Sequence, residues 1–161
     1  MQAPPPVSNL LIQLETLTTN LQGLLLRARV DWYWRPERDE WSITEVVCHL
    51  RDVEKEVHQV RLKSLIESDN AFLQGVAADE WASERGYQQQ DGKLALDQFV
   101  VERQDTIGML KPLDQDVWRR EGRHAFFGQT SLHELVYLAV RHDEIHWDQI
   151  KNIVNVVLAQ S

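Results

Sequence analysis

The sequence predicts an all-α protein, a four-helix bundle with a crossover connection. Three observations predict it. Four long segments repeat apolar residues in steps of three and four, the period of a helix with one buried face. Two of these segments open on a Ser-x-x-Glu capping box, Ser42 with Glu45 and Ser131 with Glu134, which satisfies amides that a helix start leaves unpaired. No run alternates apolar with polar residues between turn formers, as a half-buried strand would. At 161 residues, the chain suits one domain and can bury an ordinary core without staples.

Residues 1–7, with Pro4, Pro5 and Pro6, read as a flexible, extended tail. Residues 8–161 read as the single bundle domain. The first helix covers about residues 8–30, with Leu10, Leu14, Leu17, Leu21 and Leu24 as its stripe. The second covers about residues 43–68. Its stripe is Ile43, Val46, Leu50, Val53, Val57 and Val60, and Trp41 is placed to staple onto Val46. The third covers about residues 94–110, with Leu96, Val100, Ile107 and Leu110 inward, and Pro112 stops it. The fourth covers about residues 131–158. Short helical turns are expected at residues 78–84 and 114–119, inside the two irregular connections. The long connection after the second helix is the expected crossover.

Net charge is −8. An acidic chain is a poor general nucleic-acid binder, because phosphate binding draws on clustered Lys and Arg. No apolar run approaches 18 residues, so no membrane span is expected. No basic stretch leads into an apolar one at the start, so the protein is expected to be cytoplasmic. Cys48 stands alone, which excludes an internal disulfide and any multi-cysteine metal site; it reads as a small buried residue of the second helix. Of six tryptophans, most read as plugs at the bundle ends, and Trp81 or Trp118 is a candidate pocket wall.

Histidine placement is the informative feature. On the fourth helix the inward seam runs Leu135, Ala139, His142, His146, Gln149, Ile153 and Val157. Three polar residues thus interrupt a core stripe, and burying an unpaired imidazole costs about 1–3 kcal/mol. His142 and His146 lie about 40° apart in projection, one turn above the other, a spacing at which two imidazoles can share a metal ion. His49 adjoins the second helix's stripe. His58 and His133 lie nine residues from His49 and His142, about 180° away, and are expected on the outer faces. His124 sits in a connection with no assigned face. Periodicity therefore selects His49, His142 and His146 to meet inside the bundle, either hydrogen-bonded or around a metal. Arg103 interrupts the third stripe; it either snorkels outward or reaches an anionic ligand or a buried carboxylate.

The run Trp41-Ser42-Ile43-Thr44-Glu45-Val46-Val47-Cys48-His49-Leu50-Arg51-Asp52-Val53-Glu54 resembles the second-helix signature of the DinB/YfiT-like superfamily. The run Arg141-His142-Asp143-Glu144-Ile145-His146-Trp147-Asp148-Gln149-Ile150 resembles its last-helix signature. Arg103, His124 and the glycines Gly122 and Gly128 also fall where such proteins carry similar residues. The resemblance implies a crossover bundle, commonly a homodimer, with a divalent metal on three histidines, here His49, His142 and His146. An all-imidazole set suits zinc or nickel, and also iron.

Some members of that superfamily are metal-dependent thiol S-transferases that use low-molecular-weight thiols. The expected function is therefore a thiol S-transferase, or a related hydrolase, acting on a small-molecule substrate. The alternative is a non-catalytic metal-binding protein of the stress response, and a metal-free bundle with hydrogen-bonded core histidines is a third reading. Asp52, Arg103, His124 and Asp143 are the expected supporting or substrate-binding residues, with Arg103 a candidate anchor for a thiol's carboxylate. Glu56 reads as a solvated rim.

Overall fold

The computed structural model describes residues 3–160. Met1 and Gln2, in the expected tail, lie outside the described residues. Four long helical arms form the bundle: α1 (Val7–Arg27), α2 (Ile43–Val53) running on into α3 (Gln59–Glu67), α5 (Gly92–Leu110) and α7 (Leu132–Ala159). Short helices α4 (Trp81–Glu84) and α6 (Gln115–Trp118) lie in the two connections, close to where the sequence places them.

Both capping boxes form. Ser42 accepts from the Glu45 amide while Glu45 accepts from the Ser42 amide, and Ser131 with Glu134 does the same. Asp91 and Asp114 cap α5 and α6 through their carboxylates. The first helix stops at Arg27, short of the expected end. The chain turns there so that Trp32 enters the core, where its carbonyl accepts from the Thr44 amide at 3.0 Å.

α2 and α3 are one helix interrupted by a π turn at Glu54–His58. A π turn inserts one residue into the helical repeat and turns everything downstream by about 100°. Val60, expected on the inward stripe, is 55% exposed, while Leu62 and Leu65 are buried instead. The same shift brings His58 from about 180° to about 80° from His49 in projection. His58, expected on the outside, packs edge-on against His142 at 5.3 Å between ring centroids. On α5 the buried position is Phe99 rather than Val100.

The arms pack in a ring. α1 lies against α5 and α7, and α2 lies against the same two. Consecutive arms α1 and α2 therefore sit across the diagonal, as do α5 and α7. Residues 28–42 and 111–131 make the crossings, whereas the segment after the second arm, expected to cross over, joins neighbours. Side-chain pairs give the directions. Pro5 meets His133 at the starts of α1 and α7; Arg51 meets Gln98 and Lys55 meets Glu102 along α2 and α5. These two pairs run parallel.

A three-stranded sheet, unforeseen in the sequence, closes one end: β1 (Phe72–Leu73), β2 (Glu121–His124) and β3 (Gly128–Ser131). β1 pairs parallel with β2, and β2 antiparallel with β3. Two to four residues per strand are too few to show an alternating pattern. Gly128, at φ 73°, supplies the left-handed residue of the hairpin. Gly122 lets β1 approach, since a Cβ there would meet the Ala71 carbonyl at 2.8 Å.

The core has two apolar clusters. One holds Leu17–Leu25 side chains, Ile43, Val46, Leu50, Phe99, Ile150 and Ile153. The other holds Leu10, Leu14, Leu62, Leu65, Ile107, Leu110 and Leu132 to Val140 side chains. Between them, the arms present Glu54, Arg103 and Asp143, all buried, with the histidines alongside.

Candidate metal centre

His49 projects from the middle of α2, and His142 and His146 project one turn apart from the facing stretch of α7. One nitrogen from each lies within 4.8 Å of the others. His49 Nε2 and His142 Nε2 are 3.1 Å apart. Ligands at about 2.0–2.1 Å in tetrahedral geometry lie about 3.3 Å from each other, so this spacing suits a shared ion.

The outward nitrogens are held by neighbours. His146 Nδ1 lies 2.9 Å from Gln149 Oε1, a bond that puts the proton on Nδ1 and leaves Nε2 free as a donor to a metal. His142 Nδ1 lies 3.4 Å from Asp143 Oδ1. His49 Nδ1 is buried without a well-formed hydrogen bond among the described residues. The donor set, three imidazoles with two oriented from behind, fits a borderline divalent ion such as zinc or nickel.

Burial, followed by the neighbouring His146 and His142, pushes the His49 pKa down to about 3. Burial and His142 lower that of His146 as well. Both imidazoles are therefore neutral at pH 7, the form that ligates metals. Trp41 walls the centre, tilted against His49 at 4.9 Å and stacked over His146 at 6.0 Å. It is the pocket tryptophan in place of the expected Trp81 or Trp118. Trp81 lies beneath the Arg85 guanidinium, and Trp118 packs in the second core cluster against His133.

Behind the histidines lies a buried ion network. Arg103 Nε and Nη2 donate to the two oxygens of Glu54, each at 2.8 Å, and Nη2 also reaches Asp143 Oδ2 at 2.7 Å. Burial would raise the Asp143 pKa, but Arg103 overcomes this and holds the carboxyl below its usual range. Arg103 thus reaches carboxylates of the bundle interior and is not free to anchor a ligand. It fixes Asp143, which stands behind His142. Glu54 is the member whose role sequence reasoning missed; its signals are its place at the end of the second-helix signature run and four residues after Leu50, on the inward side of α2.

The other expected supporting residues lie elsewhere. Asp52 is held by Arg51 Nε at 2.7 Å, Arg85 Nη1 at 2.9 Å and the Tyr87 hydroxyl at 2.7 Å. It ties the connection after α3 to α2 and makes no hydrogen bond to a histidine. Glu56 sits on the rim, paired with Arg85. His124 is buried on β2, where its Nδ1 accepts from the Phe126 amide at 3.1 Å. Cys48 is fully buried, and burial pushes its thiol up to about 11, which makes it a poor nucleophile.

Two spaces adjoin the centre. An open groove of about 880 Å³ runs past Trp41, His146 and Gln149, with Asp39, Asp79 and Asp148 on its walls. A more enclosed cavity of about 240 Å³ is lined by His142 and His58. His142 keeps a quarter of its side chain exposed, whereas His49 is 1% exposed, so access comes from the α7 side.

The fold has a close counterpart. The solved structure of YfiT from Bacillus subtilis, described as a probable metal-dependent hydrolase with an unusual four-helix bundle topology, superposes with a TM-score of 0.83. It shares 16% sequence identity over 96% of this chain and 90% of that one, a likeness of fold. No curated protein matches the chain. Among the described residues no helix is long and apolar enough to cross a membrane. The family model of the DinB superfamily matches residues 13–150, spanning all four arms and all three converging histidines, and the chain belongs to that superfamily.

Proposed function

We propose that His49, His142 and His146 hold one divalent metal ion and that the protein is a metal-dependent hydrolase of small molecules. The observation that carries this reading is the 3.1 Å approach of His49 Nε2 to His142 Nε2 in a buried site, with His146 oriented from behind by Gln149. Unprotonated nitrogens so close repel unless a proton or a cation lies between them. A neutral Nε2–H···Nε2 hydrogen bond would join only two of the rings, whereas one cation would satisfy all three nitrogens, which lie within 4.8 Å of one another. A bound ion would supply a Lewis acid that lowers the pKa of water or a thiol at an open position.

Hydrolysis is favoured over thiol transfer by what the side chains offer. Arg103, the candidate anchor for a thiol's carboxylate, is occupied by Glu54 and Asp143. The open groove beside His146 carries Asp39, Asp79 and Asp148, which repel an anionic thiol. Cys48 supplies no protein nucleophile. Trp41 and the groove walls would orient the substrate, and Asp143 and Gln149 would hold the imidazoles in their metal-binding tautomers.

Metal content and thermal stability test the reading together. The native protein should carry about one ion per chain, and His146→Ala should carry little. A metal at 100 times its Kd adds about 2.7 kcal/mol of stability. Chelation should therefore lower the native Tm by about 5–10 °C and leave His146→Ala nearly unchanged. Equal metal content in the two proteins after reconstitution would sink the proposal.

A further inference from the structure

The enclosed cavity beside His142 adds two polar side chains, His58 and Arg61, that the three-histidine centre does not use. Its walls are leucines of α3 and α7, Ala139 and the ring of Phe127 from the β2–β3 hairpin. Its polar edge is His58, Arg61 and His142. Arg61 is half-buried. Its Nε and Nη2 donate to the Gln74 carbonyl at 3.2 and 2.7 Å, which holds the guanidinium in place. Among the described residues no carboxylate lies within ion-pair reach of it. Arg51, Arg85 and Arg103, by contrast, each have one. Burial without a counter-charge lowers the Arg61 pKa.

Two buried imidazole nitrogens point to the same want of a partner. Among the described residues His58 Nε2 and His124 Nε2 have no hydrogen-bond partner. His124 lies behind Phe127, at 4.7 Å between ring centroids. A fixed guanidinium with no anion, an unsatisfied imidazole and apolar walls together describe a receptor for a small molecule with an apolar body and one negative head. The volume, about 240 Å³, equals about eight waters at roughly 30 Å³ each, room for one ring or a short chain.

We propose that this cavity binds a small apolar monocarboxylate, its carboxylate on Arg61 and its body against Phe127 and Ala139. The inference deepens the hydrolase reading: whether the anion is reactant or product rests on that reading, while the binding itself does not need the ion. Hydrolysis of an apolar ester or amide releases such a carboxylate, and the cavity lies against His142, one of the three converging histidines.

Calorimetric titration of the full protein with benzoate, and with neutral benzamide as the control, tests it. Native protein should bind benzoate, both metal-loaded and metal-free, and should bind benzamide at least about tenfold more weakly. Arg61→Gln should weaken benzoate by about tenfold or more, as loss of a charge-assisted hydrogen bond does. Ala139→Met, which fills the cavity and spares every polar group, should weaken both ligands. Circular dichroism establishes that the variants are folded, and metal content is measured separately. A protein that takes up no metal on reconstitution and still binds benzoate through Arg61 supports this inference and removes the hydrolase reading. No benzoate binding at millimolar concentration overturns the inference. So does unchanged binding in both variants, or binding that vanishes with the metal, since the anion would then be sitting on the ion.

Discussion

His49 shows how burial sets chemistry at a single residue. Its pKa is near 6.5 in an unfolded chain and about 3 in the folded protein, through burial and the facing imidazoles. Between those values the unfolded chain takes up a proton that the folded one refuses. The metal-free protein should therefore lose stability as pH falls through this window, by about 1.4 kcal/mol per pH unit for His49 alone. His146 and His58 are shifted in the same direction. Urea unfolding of metal-free protein at pH 7.5 and pH 5.5 reads the slope; equal midpoints would contradict it. Arg103 gives the second prediction at this scale. Arg103→Met strands the carboxylates of Glu54 and Asp143 in the interior, and breaking a buried pair from one side costs about 3–5 kcal/mol. Chemical denaturation measures the loss, and a cost under about 1 kcal/mol would mean that the network is not held by this residue. His142 and His146 were legible because they break an otherwise apolar stripe, and His49 because it adjoins one. The partners of Arg103 were not, since spacing shows which face a side chain occupies and not which charge it meets across the bundle.

The helices divide into stretches that periodicity reads correctly and one that it cannot. Capping boxes at Ser42 and Ser131 and the stripes of α1, α2 and α7 follow from local spacing. The π turn at Glu54–His58 does not, because no local residue requires it; it is stabilised by what both halves of the arm bury. Upstream, Glu54 stays on Arg103; downstream, Leu62 and Leu65 enter the second cluster. The register can be tested directly. Val60→Lys should change stability by no more than about 0.5 kcal/mol, as at an exposed site, whereas Leu62→Ala should cost about 2–5 kcal/mol. An uninterrupted α-helix would reverse the order, with Val60 inward. The sheet escaped for a different reason: β1 is set by pairing with residues about fifty positions away, such as Phe72 with Arg123, which no local pattern reports, and the β2–β3 hairpin is too short to show an alternation.

In the whole molecule, both diagonal crossings place α2 opposite α1 and beside α7, and this puts His49 against His142 and His146. The sequence called for four arms and a crossover but placed the crossing after the second arm, because loop length alone cannot say which neighbours a loop joins. Each apolar cluster draws side chains from all four arms, and the ionic layer of Glu54, Arg103 and Asp143 separates them. The consequence is energetic independence of the two ends. A double-mutant cycle between Leu21 and Leu110, one in each cluster, should show a coupling within about 0.5 kcal/mol of zero, as for residues with no shared partners; a coupling above about 1 kcal/mol would show the layer to be permeable to strain. Mutations can then accumulate and repack at either end without their costs compounding, and without moving the histidines that stand between.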